Sequence, residues 1–253
     1  MTLRIQCWSG PRNISTALMY SWAQRADTTV IDEPLYGSYL ARFDRDHPMV
    51  DEVLAHQSTD ARQVIDEVIL GECDTPVLFI KQMAHHLRHL PTYFLAQTRN
   101  ILLTRHPAAM LRSLSVQLPA CELDDTGLPE QIEILDHVLA AGGDPIVVDA
   151  HVLLTDPPGV LARLCGRLGL GFDPAMLAWG AGPKPYDGVW APAWYAGVHR
   201  STGFGPPRPS STEPLAERLE PVLAAAFPLY ERLSAYAVQG SINLPDSTPG
   251  SGP

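Results

Sequence analysis

Short, continuously apolar runs recur along this chain, separated by longer segments with helical spacing. The clearest apolar runs cover residues 3–8, 28–31, 76–80, 100–104 and 146–148. A strand that is apolar at almost every position is buried on both faces, which is typical of a parallel sheet between two layers of helices. The sequence therefore predicts an α/β fold in which a parallel β-sheet is flanked by helices.

The segments between these runs predict the helices and the domain limits. Helical spacing covers residues 15–25, 50–70, 108–116, 129–141, 156–170 and 215–236, whereas 180–214 is rich in Gly, Pro and Trp and has little periodicity. A chain of 253 residues is long enough to bury one sizeable core. We predict a single domain over residues 1–240 and a disordered tail over 241–253.

Composition excludes several classes of partner. The chain carries 18 Lys and Arg against 28 Asp and Glu, a net charge of −10, which argues against general binding of nucleic acid or of an anionic membrane. Its four cysteines form no CxxC pair, and no apolar run reaches the length of a membrane span. We therefore expect a reduced, cytoplasmic protein with no nucleic-acid or membrane partner, and a homodimer is left open.

The most distinctive polar residues follow predicted strands. Arg12, Glu33, Lys81 and Arg105 each come at or just after the end of an apolar run. In a parallel sheet the carboxyl ends of the strands share one edge, where ligands bind. The sequence therefore predicts one site that all four residues share.

The first strand is followed by Ser-Gly-Pro-Arg-Asn-Ile-Ser-Thr and then by a helical segment. Such a turn presents backbone N–H groups and a helix N-terminus to an anion. The usual Gly-Lys before the Ser/Thr is missing, and the nearest cation is Arg12. This pattern favours a ligand with a single 5′-phosphate that bears a further group over a magnesium-bound triphosphate. The alternative is an ordinary connection with a solvated arginine.

Two motifs together resemble those of the P-loop sulfotransferases. The stretch SGPRNISTALM resembles the family's 5′-phosphosulfate loop, and LLTRHPAAMLRSL has the family's Arg-x-Pro with a Ser eight residues after the Arg. The resemblance implies the P-loop nucleoside triphosphate hydrolase-like fold and the family's bacterial small-molecule branch. It also implies 3′-phosphoadenosine 5′-phosphosulfate as donor, adenosine 3′,5′-bisphosphate as product, a hydroxyl or amine as acceptor, and no metal.

The resemblance also assigns residues to the donor. It implies that the 5′-phosphosulfate is bound by Gly10, Pro11, Arg12, Asn13, Ile14, Ser15 and Thr16, and the 3′-phosphate by Arg105 and Ser113. Arg200, Ser201 and Thr202 lie where the family has a loop that closes over the nucleotide, and we expect them to reach the 3′-phosphate. A solvated loop is the alternative for these three residues.

The catalytic residues are less fully specified. Arg12 is expected to act on the leaving phosphate, and Lys81 on the transferring group. Many family members have a His two residues after this lysine, but here that position is Met83. We therefore favour Glu33 as the base, since a partly dry cleft can raise its pKa; His85 or His86 is the second candidate, and the third alternative is that none of them is the base.

Several other readings of the same residues stay open. His85, His86 and His89 lie close together but have no adjacent carboxylate or Cys, so we do not expect a metal site. A second group could line the acceptor or nucleotide site or else belong to the core: Tyr36, Tyr39, Trp190, Trp194 and Tyr195. Two rival functions remain, a kinase that uses ATP and magnesium and a non-catalytic nucleotide-binding protein.

Overall fold

A five-stranded sheet, parallel throughout, forms the centre of the protein. The computed structural model describes residues 2–43, 47–207 and 214–240. The strands are β1 (Leu3–Ser9), β2 (Thr28–Asp32), β3 (Val77–Met83), β4 (Arg99–Thr104) and β5 (Ile146–Asp149), in the spatial order β2-β3-β1-β4-β5. All four pairings are parallel, which confirms the predicted α/β fold.

Helices connect the strands. They are α1 (Ser15–Trp22), α2 (Tyr36–Arg42), α3 (Val50–His56), α4 (Ala61–Gln63), α5 (Pro107–Leu114), α6 (Leu128–Ala140), α7 (Ala150–Thr155), α8 (Pro157–Arg167), α9 (Ala191–Trp194), α10 (Ala196–His199) and α11 (Glu220–Ser234). A π-helical turn (Val64–Ile69) continues α4, and 3₁₀ turns cover Ala84–Leu87, Leu95–Gln97, Leu123–Thr126, Pro174–Leu177 and Glu217–Leu219. Within the described ranges, no helix is both long and apolar enough to span a bilayer.

The core lies on both faces of the sheet. On one face Ile5, Cys7 and Phe79 pack with residues of α1 and α8. On the other face Trp8 and Ile80 pack with residues of α6 and α11. Because neighbouring residues of one strand point to opposite faces and both faces are covered, the strands are apolar at nearly every position.

The order of the strands creates a crevice at the carboxyl ends of β1 and β4. The chain leaves β1 toward β2 on one side of the sheet, and after β3 it crosses to β4 on the other side of β1. Connections that leave two adjacent strands in opposite directions open such a crevice, which is where ligands of open α/β sheets bind. The loops that carry Arg12 and Arg105 follow these two strands.

Some predicted limits were wrong. The helix expected over 50–70 is broken after His56, because Asp60 accepts the backbone N–H groups of Arg62 and Gln63 and starts a new helix. Lys81 lies inside β3, two residues before its end, rather than after it. Helix α1 ends at Trp22 instead of residue 25, and α11 begins at Glu220 instead of residue 215.

The helix expected over 156–170 begins as predicted. Its observed limits are Pro157–Arg167, with Asp156 as the N-cap that accepts the Gly159 N–H at 3.0 Å. The predicted tail, residues 241–253, lies outside the described residues.

Candidate functional site

The loop between β1 and α1 contains a glycine that cannot be replaced without displacing a neighbour. A Cβ at Gly10 would lie 2.3 Å from the carbonyl oxygen of Thr126. The next residue of that segment, Gly127, lies at van der Waals distance from both neighbours: a Cβ there would lie 3.5 Å from the Cα of Gly10 and 3.6 Å from the backbone N of His85. The segment 126–127 therefore packs between the loop and the turn that carries His85.

Two residues of this loop have a strained backbone. Arg12 and Ile14 both have φ of 62°, in the left-handed region, which a β-branched residue such as Ile14 rarely adopts. Such strain is concentrated at functional sites, and left-handed residues beside ordinary ones arrange N–H groups into anion-binding concavities. The buried Asn13 between them donates from Nδ2 to the Leu103 carbonyl at 3.4 Å, which ties the loop to β4.

The loop leads into a helix whose N-terminus has no side-chain cap. Ile14 is the N-cap residue of α1 and supplies no side-chain acceptor to the N–H groups of the first turn. Ser15, which is buried, and Thr16, which is half-buried, are the first two residues of this helix. Their hydroxyls and the first-turn N–H groups form a set of donors suited to an anion.

The two motifs found in the sequence contact each other. Arg12 donates from Nε to the Ser113 hydroxyl at 2.9 Å, and Arg105 donates from Nη1 to the Arg12 carbonyl at 2.8 Å. These pairs are 101 and 93 residues apart in the chain. We call Arg12, Arg105, Ser113 and residues 10–16 the phosphate corner. Arg12 is exposed and Arg105 is half-buried, so the corner opens to solvent.

Gln131 of α6 supports this corner through the strands beneath it, and no sequence motif marks this residue. Its side chain is fully buried, and Nε2 donates to the carbonyls of Trp8 and Leu103, each at 2.9 Å. These carbonyls belong to β1 and β4, so one side chain links the two strands that diverge at the crevice. An uncharged Gln within a helical pattern has no feature that marks it as functional.

The predicted contribution of residues 200–202 is not evident from their contacts. The Ser201 hydroxyl donates to the Val198 carbonyl at 2.7 Å and accepts from Nε1 of Trp179 at 3.2 Å. The Thr202 carbonyl accepts the Trp179 N–H at 3.1 Å. Arg200 and Thr202 are exposed. A role for these three residues at the nucleotide stays a prediction.

A buried lysine forms the second part of the site. Lys81, 1% exposed, donates to Asp32 Oδ1 at 2.8 Å, to the Tyr195 hydroxyl at 2.8 Å, and to Glu33 Oε1. An ammonium group has three N–H donors, so this lysine has all three satisfied. Lys81 therefore does not extend into solvent. We call Asp32, Glu33, Lys81 and Tyr195 the lysine network.

A segment from the Trp-rich region covers the lysine network. We call residues 188–195 the covering segment. The Tyr195 hydroxyl donates to Asp32 Oδ2 at 2.7 Å and accepts from Trp190 Nε1 at 3.0 Å. The Gly188 N–H also donates to Asp32 Oδ2, at 3.1 Å. Tyr195 and Trp190 are buried in an aromatic cluster with Tyr36 and Tyr39, and their polar atoms also complete the network.

The network sets unusual protonation equilibria. Burial raises the pKa of Glu33 to about 7, with the Lys81 charge lowering it and the Asp32 charge raising it. Burial alone would lower the pKa of Lys81, but the charges of Asp32 and Glu33 outweigh it and hold that pKa well above its usual value. The lysine is therefore cationic, and Glu33 gains or loses its proton near neutral pH.

Glu33 also has a strained backbone. Its φ is 40°, and its carbonyl accepts Nε2 of Gln57 at 3.1 Å while its N–H donates to the Lys81 carbonyl at 2.9 Å. A non-glycine residue rarely adopts a positive φ without compensating contacts. These backbone bonds fix the point at which the Glu33 side chain leaves the end of β2.

The histidines lie in an aromatic cluster beside the network. His85 and His86 are buried in the 3₁₀ turn Ala84–Leu87 that follows β3. The His86 ring stacks on Tyr36 with centroids 4.8 Å apart, and the His85 ring meets Tyr39 edge-on at 5.0 Å. Burial, with smaller contributions from nearby positive groups, holds the pKa of His86 well below its usual value, so this ring is neutral at pH 7.

Two open cavities lie at the other edge of the sheet. One, of about 400 Å³, is lined by Thr29, Ile31, Val68, Glu72, Cys73, Asp74 and Leu78. The other, of about 330 Å³, is lined by residues 2–4 and 96–99. Both adjoin the amino ends of the strands, so neither includes the phosphate corner or the lysine network.

Among the described residues, no group of three or more His, Cys, Asp or Glu side chains is arranged to hold a metal ion.

Two solved structures with a similar fold are sulfotransferases. The sulfotransferase domain from the Synechococcus PCC 7002 olefin synthase superposes with a TM-score of 0.57 at 20% identity, over 92% of this chain and 96% of that one. The sulfotransferase from Alicyclobacillus acidocaldarius gives a TM-score of 0.53 at 14% identity, over 93% and 95% of the two chains. At these identities the likeness establishes the fold, a parallel sheet flanked by helices.

The family follows from the sequence. The profile of the sulfotransferase domain matches residues 3–237, and the chain belongs to that family of transferases, as the two motifs predicted. It is also 38% and 36% identical, over 247 residues, to the branched-chain-amino-acid aminotransferase-like proteins 1 and 2 of Arabidopsis thaliana. The match covers 97% of this chain but 44% of each relative, so the chain spans less than half of their length.

Proposed function

We propose that this protein transfers the sulfonyl group of 3′-phosphoadenosine 5′-phosphosulfate to a hydroxyl of a small-molecule acceptor. The observation that carries the proposal is the direct contact between the two motifs, through Arg12 and Ser113 and through Arg105 and the Arg12 carbonyl. Both motifs lie at the crevice between β1 and β4. The sulfotransferase family generally uses this donor.

The chemistry of the phosphate corner suits a ligand with two separate phosphate groups. It combines two guanidinium groups, the hydroxyls of Ser15, Thr16 and Ser113, and an uncapped helix N-terminus. Guanidinium and hydroxyl groups are the donors that proteins use for phosphate oxygens. In a chain with a net charge of −10, this local excess of donors favours an anionic ligand over a fortuitous patch.

Each residue then has a distinct task. Arg12, Ser15 and Thr16 hold the 5′-phosphosulfate, and Arg12 stabilises the charge that develops on the leaving phosphate. Arg105 and Ser113 hold the 3′-phosphate. When bound, the donor supplies an activated sulfonyl group and a phosphate leaving group.

The lysine network supplies the acceptor side. In the order β2-β3-β1-β4, the ends of β2 and β4 are three strand spacings apart, about 14 Å, so a nucleotide in the crevice can extend from Arg105 toward Glu33. Glu33 takes the proton of the attacking hydroxyl, and Lys81 stays beside it as the counterion. A base whose pKa is about 7 is half ionised at neutral pH, which is close to the optimum for proton transfer.

The aromatic packing of the histidines favours Glu33 as the base. His86 is 1% exposed, and its ring is stacked on Tyr36. An imidazole whose pKa lies well below its usual value is a weak proton acceptor at pH 7. His85 is kept as the second candidate, since it adjoins the same cluster and is 8% exposed.

The covering segment supports a small acceptor. Trp190 and Tyr195 close over Asp32 and Lys81, and a site closed in this way excludes water that would compete for the sulfonyl group. A hydroxyl on a small molecule reaches Glu33 with less displacement of this segment than a hydroxyl on a bulky polymer would need.

Calorimetry with adenosine 3′,5′-bisphosphate beside ATP, each with and without magnesium, tests the donor. We expect the bisphosphate to bind without magnesium and more tightly than ATP, and Arg105→Ala to weaken it about 10- to 100-fold through loss of a charged hydrogen-bond donor. The matched control is Arg112→Ala on α5, the helix that follows Arg105, because the Arg112 guanidinium reaches the Pro214 carbonyl instead. If ATP with magnesium binds more tightly than the bisphosphate, the proposal is wrong and the alternative, a kinase that uses ATP and magnesium, takes its place.

A further inference from the structure

We propose that Asp32 is a positioning residue which, together with the Tyr195 hydroxyl, takes up two of the three N–H donors of Lys81 and so leaves one oxygen of Glu33 available to receive the acceptor proton. This inference rests on the proposed function, in which Glu33 is the base. It concerns residues that the sequence motifs do not include.

The hydrogen bonds of the network divide unequally between the two carboxylates. Asp32 is bonded through both oxygens, with Lys81 on Oδ1 and with Tyr195 and Gly188 on Oδ2. Within the described part of the chain, the Glu33 side chain is bonded through Oε1 alone, to Lys81. Asp32 is therefore the saturated carboxylate, and Oε2 of Glu33 is the oxygen left to accept a proton.

Electrostatics assigns the two carboxylates different roles. One lysine cannot neutralise two buried carboxylates, so the network carries an excess negative charge unless one of them is protonated. Asp32 accepts hydrogen bonds from three donors whereas the Glu33 side chain accepts from one, so the proton goes to Glu33. Tyr36 also faces Glu33, and its pKa is raised by burial and, to a smaller extent, by the Glu33 charge.

Tyr195 contributes by its hydroxyl and not by its ring alone. The hydroxyl accepts from Lys81 and from Trp190 and donates to Asp32, so each of its bonds goes to a group of the network or its cover. Without it, the third N–H of Lys81 would turn to a carboxylate oxygen. That change would strengthen the pairing of Lys81 with Glu33 and weaken Glu33 as a base.

The test compares Asp32→Asn and Tyr195→Phe with the wild type by the pH dependence of kcat/KM. In the wild type we expect the acid limb near pH 7, where Glu33 ionises. In Asp32→Asn, the loss of the neighbouring negative charge should move this limb to lower pH by about one unit or more and lower the plateau about 10-fold. Asp32→Glu should restore the limb, and the exposed Asp74→Asn should leave it unchanged.

Titration of the Glu33 carboxyl by ¹³C NMR, assigned with Glu33→Gln, gives a readout that needs no turnover. A lower pKa of Glu33 in Asp32→Asn supports the inference even for an acceptor not yet known, and an unchanged pKa overturns it. If Asp32→Asn does not fold, Tyr195→Phe, which keeps the ring, should shift the pKa in the same direction by less. Absence of sulfonyl transfer in the wild type would refute the proposed function and leave this titration interpretable.

Discussion

The phosphate corner and the lysine network differ in almost every physical property, although they lie on the same edge of one sheet. The corner is open to solvent and is built from arginines, hydroxyls and backbone N–H groups. The network is buried, contains one cation and two carboxylates, and is closed by Trp190 and Tyr195. A binding site for a large anion must be reached from water, whereas burial raises the pKa of a carboxylate toward neutral pH, where it is the stronger base.

This difference assigns separate consequences to mutations in the two regions. Changes in the corner should act on nucleotide affinity, and changes in the network should act on turnover. The comparison fails if a change in one region alters the property that we assign to the other.

The largest effect is expected from Glu33→Gln. We predict that turnover falls about 10²- to 10⁴-fold, because the base is lost, while the Kd for adenosine 3′,5′-bisphosphate stays the same. Steady-state kinetics and calorimetry measure the two quantities, with the exposed Glu72→Gln as the matched control. Retained turnover would transfer the role of base to His85, and a parallel loss of affinity would contradict the separation of the two regions.

The same substitution should also change the pH dependence of stability. The raised pKa of Glu33 means that its contribution to the free energy of unfolding is full below the unfolded value of 4.5 and is lost as pH rises through about 7. We therefore predict that Glu33→Gln gains stability relative to the wild type as pH rises from 5 to 8, by about 1–3 kcal/mol. Urea unfolding at each pH measures this difference. A constant difference would mean that Glu33 has an ordinary pKa and that the network is not as dry as its burial indicates.

The smallest effect is expected from Ser113→Ala in the corner. Removing one neutral hydroxyl should weaken adenosine 3′,5′-bisphosphate about 2- to 10-fold and leave kcat nearly unchanged. Ser115→Ala is the matched control, since that hydroxyl bonds the Arg112 carbonyl on the same helix. An effect on kcat larger than the effect on Kd would place Ser113 nearer the chemistry than the corner implies.

The corner could be predicted from the sequence because its residues form two short motifs with fixed spacing. Arg12 and Ser15 follow one strand, and Arg105 and Ser113 follow another at a separation of two helical turns. Parallel strands then bring the motifs to one edge, so topology supplies the contact that the sequence leaves implicit. The strands themselves were predictable for the same reason, since burial on both faces makes them apolar throughout.

The network could be predicted only in part. Glu33 and Lys81 were expected at strand ends, but the partners of Lys81 come from distant positions. Tyr195 lies 114 residues after Lys81, in a segment without helical or strand periodicity. Nothing local distinguishes a tyrosine that bonds a lysine from one that fills a core. The break after His56 was missed because Asp60 restarts a helix within a pattern that otherwise continues.

The close contact between Gly10 and Thr126 limits how this protein could be redesigned. Because Gly127 adjoins both Gly10 and the backbone of His85, three chain segments pack against one another, and a methyl group added at Gly10 would collide with the Thr126 carbonyl. An engineer who rebuilt the amino-terminal turn for another cofactor would displace the histidine turn as well. Trp190 and Tyr195 of the covering segment belong to a separate stretch of chain. Altering specificity through these two residues would leave the packing around Gly10 intact.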